Sequence, residues 1–134
     1  MSAYVTVQTQ FKDQECLVKA LEEMGYPVEV SAEGTALYGY HGDKRAQKAH
    51  VVVRRQHVGS ASNDLGWERL EDGSFRQHVS QFDQGATFPK TTQDRLKQLY
   101  ARGVLVKTAR SKGYQVAEEK AEGGKIRLKL RNWN

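Results

Sequence analysis

The chain has 134 residues, 38% of them apolar and 28% charged, which is ordinary for a protein that folds in water. No apolar run approaches the roughly 20 residues a membrane-spanning helix needs, and a single cysteine, Cys16, excludes an internal disulfide framework. The formal charge of +5 is uneven: residues 1–89 carry 9 Lys and Arg against 12 Asp and Glu, whereas residues 90–134 carry 12 against 4. Such a basic half attracts nucleic acid or an acidic protein surface, or is simply solvated charge on a helix and a hairpin.

Tyr4 to Phe11 alternates, with Val5, Val7 and Thr9 on one face, and predicts a strand. Asp13 is placed to cap a helix that carries Leu17, Ala20, Leu21 and Met24 at helical spacing and ends at Gly25. Cys16 falls inside that helix. Pro27 to Val30 and Thr35 to Tyr40 read as two strands around a turn at Ala32-Glu33-Gly34, and the polar stretch Asp43 to Lys48 reads as a loop. Ala49 to Arg55, with three consecutive valines, is the best candidate for a central strand. Gly59 to Asp64 has the composition of a flexible connection.

Leu65 to Leu70 and Ser74 to Phe82 predict a hairpin turning through Glu71-Asp72-Gly73, and Gly85 to Pro89 breaks the pattern. A second helix starts near Thr91, with Asp94 completing a capping arrangement, and stops at Gly113. Its apolar face runs through Leu96, Leu99, Tyr100, Gly103 and Val106, and Lys107 and Arg110 extend the same face. Either the last turn overhangs the sheet, which is the simpler reading, or these cations meet acids or a ligand. Tyr114 to Glu119 and Lys125 to Arg131 form the last hairpin, turning through residues 121–124. Placing Tyr114 and Val116 with Ile126, Leu128 and Leu130 pairs even positions with even ones, which brings Glu119 near Lys125.

Gly25-Tyr26-Pro27-Val28 and Gly113-Tyr114-Gln115-Val116 each close a helix and open a hairpin, at an offset of 88 residues. A duplicated strand-helix-hairpin unit, or one local solution used twice, explains the match. Both place two helices on one face of a single sheet.

Catalytic constellations are missing from the sequence. His41, His50, His57 and His78 never fall at the i, i+4 spacing of a zinc protease, and no Cys-x-x-Cys pair or G-x-S-x-G elbow occurs. Gly123-Gly124-Lys125 lacks both the hydroxyl and the distant glycine of a phosphate loop. The adjacent acids Glu22-Glu23 and Glu118-Glu119 point apart on a helix or a strand. Tyr38, Tyr40 and His41 are candidates for stacking on a base or a partner side chain, with core packing of part of the set as the competing role.

Thr6 to Gln10, the Asp13-capped helix through Gly25-Tyr26, the segment Gly113 to Glu119, and Ile126-Arg127-Leu128 with Trp133 together resemble one family. It is the hypothetical chloroplast reading frame thirty-five family, also called domain of unknown function twelve fifty-seven. The resemblance covers residues 3–55 and 91–134; residues 56–90 fall outside it and are a candidate for a member-specific role. It implies no reaction and no catalytic residues. It implies a cytoplasmic location, or the plastid stroma in a plastid-bearing organism, which agrees with an N-terminus that lacks the basic and apolar segments of an export signal.

The expectation is an α+β fold over residues 1–134 as a single domain: one mostly antiparallel sheet with two helices on one face. Val5, Val7, Leu17, Leu21, Val51, Val53, Leu96, Leu99, Ile126 and Leu128 are expected in the core. The expected function is a small non-catalytic binding protein, an adaptor or inhibitor, with a protein partner, no cofactor, no structural metal and no membrane contact. The alternative is nucleic-acid binding through the basic half, with Lys97 as a further phosphate contact. Candidate partner-binding residues are Arg95, Arg102, Lys107, Arg110, Lys112, Tyr38, Tyr40 and His41.

Overall fold

The computed structural model describes residues 2–122 and 125–132. Its strands are β1 (Tyr4–Gln8), β2 (Glu29–Tyr38), β3 (Lys44–Val53), β4 (Leu65–Arg69), β5 (Phe75–Ser80), β6 (Tyr114–Glu122) and β7 (Lys125–Asn132). The helices are α1 (Gln14–Glu23), α2 (Gln81–Gly85) and α3 (Lys90–Ser111). The fold is α+β, and every strand pairing is antiparallel. Five strands form one sheet in the order β1-β5-β4-β3-β2, while among the described residues β6 and β7 pair only with each other, so the single sheet expected from the sequence is in fact two. The proposed turn at residues 121–124 includes Gly123 and Gly124, which lie outside the described residues.

Register sorts the side chains. Val5 pairs with Val79, and Val7 with Gln77, which pairs in turn with Trp67 and through it aligns with Val51. These residues share the face on which α1 and α3 lie. Leu17 and Leu21 of α1, Leu96 of α3, and Val51, Val53, Leu65, Trp67 and Phe75 are all fully buried there. Each fully buried leucine contributes about 1.5–3 kcal/mol relative to exposure, so this layer holds the fold together. Asp13 caps α1 by accepting from the Cys16 N–H at 3.0 Å. Gly25 and Gly113 follow the two long helices with φ of +94° and +85°, a left-handed conformation that glycine adopts without steric cost.

The opposite face carries Gly66, His78 and Thr6 in register, and the β2–β3 hairpin folds back over it. Arg45 of β3 donates to the Ser2 carbonyl and lies 5.2 Å from the centre of the Tyr4 ring, although β4 and β5 separate β3 from β1 in the sheet. Leu37, Ala49 and Val52 form a small second core beneath the fold-back. Gly66 makes it possible: a Cβ there would lie 2.8 Å from both the Ala49 Cβ and a Leu37 methyl.

Several sequence expectations need correction. β2 runs unbroken through Ala32-Glu33-Gly34, because pairing with β3 resumes beyond a register shift between Val30 and Thr35. Lys44 to Lys48 is strand, the outer half of the hairpin, and not loop. The Gly59 to Asp64 connection is pinned, with Ser62, Asn63 and Asp64 all buried. Asp64 accepts from the Tyr38 N–H, the Arg55 N–H and Arg54, each at 2.8 Å. Asp83 accepts from the Asn63 N–H at 3.0 Å and from Ser80 Oγ at 2.7 Å. β5 stops at Ser80, whose hydroxyl caps the short α2, so Phe82 is helical. α3 begins at Lys90 after Pro89 without a side-chain cap, and Asp94 pairs with Lys90 at 2.7 Å instead of capping with Thr91.

The last hairpin starts in the even-to-even register expected, with Val116 opposite Leu130, but Ala117 is bulged. Beyond the bulge Glu118 faces Lys129 and Glu119 faces Leu128. An extra residue in one strand moves every later side chain to the other face, so Glu119 does not reach Lys125. It reaches Arg102 of α3, whose Nη2 donates to it at 2.8 Å.

Candidate functional site

Two of the candidate cations on α3, Arg102 and Lys107, are engaged within the fold. Lys107 Nζ lies 2.7 Å from Asp13 Oδ2, so the cation expected to overhang the sheet sits on the acid that caps α1. Burial pushes the Asp13 carboxyl up, but the hydrogen bonds from Lys107 and the Cys16 N–H outweigh it and hold the group below its ordinary value. Arg102 pairs with Glu119 and lies 3.7 Å from Glu23. The hydrogen bond from Arg102 holds the Glu119 carboxyl low. Arg110 lines the cleft between α1 and α3 together with Arg102 and Lys107, whereas Arg95 and Lys112 are exposed outside it.

Tyr38, Tyr40 and His41 sit at the tip of the β2–β3 hairpin and line no cavity in common with the α3 cations. Tyr38 is 40% and Tyr40 45% exposed, so neither is core. Arg54 and Arg55 each lie 5.9 Å from the centre of one of these rings, and the Tyr40 and His41 rings are 4.8 Å apart. The eight candidate residues therefore do not form one site: Arg102, Lys107 and Arg110 share the α1–α3 cleft, Tyr38, Tyr40 and His41 the hairpin tip, and Arg95 and Lys112 belong to neither.

On the hairpin-covered face, Thr6 Oγ1 is 2.8 Å from His78 Nδ1, and His78 Nε2 is 2.9 Å from Glu68 Oε1. Hydroxyl, imidazole and carboxylate in this order match a nucleophile, its base and an orienting acid. Sheet geometry accounts for the same contacts. Thr6 and His78 are register partners, and Glu68 pairs across the sheet with Arg76, which donates to the same carboxylate oxygen at 2.9 Å. Among the described residues, no three His, Cys, Asp or Glu side chains are grouped to hold a metal ion, and no helix is long and apolar enough to cross a membrane.

A concave surface larger than the α1–α3 cleft lies elsewhere, between β1 and α3. This groove of about 770 Å³ is walled on one side by Val7 and Phe11 and on the other by Tyr100, Val104 and Leu105. Val7 and Leu105 are each 47% exposed. Val7 was expected in the core; it has the correct face, but α3 stands off from β1 and leaves the side chain uncovered. Tyr100 fixes the floor, since its ring centre is 4.6 Å from that of Phe11 and its hydroxyl accepts from the Lys12 and Asp13 N–H groups at 2.9 Å. Lys12 and Lys97 line the groove, and no Asp or Glu does. The sequence signal was Leu105, an apolar residue off the Leu96–Leu99–Val106 stripe, but nothing in one sequence says what it faces.

No curated protein and no solved structure shows a significant match. A family model does match, over residues 20–129, from the end of α1 through β2 to β6 and α3 into β7, and so takes in residues 56–90, which the resemblance leaves outside. The chain belongs to the family described as Protein of unknown function (DUF1257).

Proposed function

We propose that this chain is a small non-catalytic binding protein, an adaptor or inhibitor, whose protein partner docks in the groove between β1 and α3. The observation that carries the reading is the pairing of Val7 and Leu105, two large apolar side chains each 47% exposed on facing walls of one concavity. Scattered apolar residues are normal on a surface, but a concave cluster is a place where covering by another chain removes apolar area from water. Nucleic-acid binding is the weaker reading: pairing with Glu119 and Asp13 takes Arg102 and Lys107 out of the phosphate contacts and leaves it to Arg95, Lys97, Arg110 and Lys112.

Capture from an extract of the native host, after nuclease treatment, tests the proposal. The wild-type chain retains a protein that a Leu105→Glu variant of equal thermal stability does not. Equal retention by both, or retention of nucleic acid alone before nuclease treatment, rejects it.

A further inference from the structure

The wall of the groove formed by β1 is also an open sheet edge. Among the described residues β1 pairs only with β5, in an unbroken register of five residue pairs from Tyr4–Ser80 to Gln8–Arg76. In an antiparallel pair, alternate residues turn both backbone groups to the partner strand and the residues between turn both away. Here the odd positions face β5: Gln81 N donates to the Ala3 carbonyl at 2.8 Å and Thr9 N to the Phe75 carbonyl at 2.9 Å. Thr6 and Gln8 therefore present their N–H and C=O groups to the free edge. The other edge of the sheet, β2, is a continuous strand whose pairing with β3 shifts register twice, which makes it a less regular template.

We propose that the groove takes an extended peptide segment of the partner, added to β1 as a sixth strand, with alternating apolar side chains and at least one acidic residue. This deepens the docking reading and rests on it. A strand beside β1 forms main-chain hydrogen bonds with Thr6 and Gln8, and every second side chain falls on the Val7 side of the sheet, into the groove against Val104 and Leu105. The acid follows from charge: Lys12 and Lys97 line the groove with no acidic residue among its lining. A second copy of the chain is a poorer occupant. Residues 2–12 contain no Asp or Glu, so β1 of another copy brings Lys12 and no anion.

The test is selection of a displayed library of random peptides on the full-length protein, followed by affinity measurement of an enriched peptide against variants. Enriched sequences should place apolar residues at every second position and carry Asp or Glu. Proline is tolerated on a strand edge whose N–H faces outward, so Gln8→Pro should leave the melting temperature unchanged and weaken binding by about tenfold or more, one backbone donor being removed from the interface. N-methylation of the peptide amides that face β1 should give the same loss without altering the protein, and methylation of the alternate amides should not. Lys12→Glu with Lys97→Glu should switch selection to basic peptides.

Peptides with apolar residues at helical spacing, sensitive to Leu105→Glu but not to Gln8→Pro or N-methylation, overturn strand addition and leave the docking groove standing. Self-association abolished by Gln8→Pro overturns the peptide in favour of a second copy. Failure to enrich any peptide, or enrichment indifferent to Leu105→Glu, overturns strand addition and counts against the groove as well.

Discussion

Substitution of Gly66 by alanine probes the fold-back of the β2–β3 hairpin, the feature that positions Tyr38, Tyr40 and His41. The added methyl would lie 2.8 Å from the Ala49 Cβ and 2.8 and 2.9 Å from the two methyls of Leu37. Carbon atoms in ordinary contact sit about 3.5–4.0 Å apart, so the hairpin must lift by roughly 1 Å. Leu37 can change rotamer only within a fully buried site, and the Ala49 Cβ is fixed to the backbone of β3, so the neighbours cannot simply turn away. Overpacking of this kind costs about 1–3 kcal/mol. For a chain of this size each kcal/mol lowers the melting temperature by roughly 3–5 °C, which scanning calorimetry or urea unfolding resolves. Gly85→Ala, with nothing within 4 Å of the new Cβ, is the control and should stay within about 0.5 kcal/mol of wild type. Ala49→Gly combined with Gly66→Ala should recover part of the loss, because the two sites share the clash. A Gly66→Ala protein as stable as wild type would refute the fold-back.

Truncation of Leu21 or Leu96, both fully buried, should cost about 2–5 kcal/mol in urea unfolding, and a loss below about 1 kcal/mol at both would reject the packing of α1 and α3 on the sheet. Asp83 gives a pH signature: burial raises its carboxyl, but hydrogen bonds from Ser62, Ser80, Thr87 and the Asn63 N–H outweigh that and hold it below the ordinary value. A folded pKa below the unfolded one means that its stabilisation is complete above about pH 4 and is lost as pH falls through the folded value. Asp83→Asn should therefore destabilise the protein by about 1–3 kcal/mol at neutral pH and flatten the acid limb of the stability curve, and an acid limb identical to wild type would contradict the network. Chelator treatment should leave the melting temperature unchanged, since a metal bound to the native state alone would have raised it, and a drop restored by zinc would reveal a site.

Local signals in the sequence located what local forces decide. Asp13 and Gly25 bracket α1 because a cap and a left-handed glycine act within a few residues of themselves. The β4–β5 hairpin was legible from alternation about Asp72-Gly73 for the same reason. Errors arose where distant packing overrode composition. Lys44 to Lys48 looks like loop, yet pairing with β2 and contact with Tyr4 across the sheet hold it as strand. Gly34, with φ of +91°, signals a turn, but here it marks an irregularity inside a long strand. Glu119 was misplaced because a bulge at Ala117 leaves no mark in the residue types. The groove was illegible for a related reason. Alternation assigns Val7 to the correct face, but only the position of α3 decides whether that face is covered.

Site-specific photocrosslinking tests the central claim most directly, because it needs no prior identity for the partner. A benzoylphenylalanine is placed in turn at Leu105 in the groove, at Tyr40 on the hairpin tip and at Arg110 in the α1–α3 cleft, and each full-length protein is irradiated in nuclease-treated extract of the native host. The groove account predicts a discrete protein adduct from position 105 and none from positions 40 and 110. Adducts from position 40 or 110 with none from position 105 would contradict it.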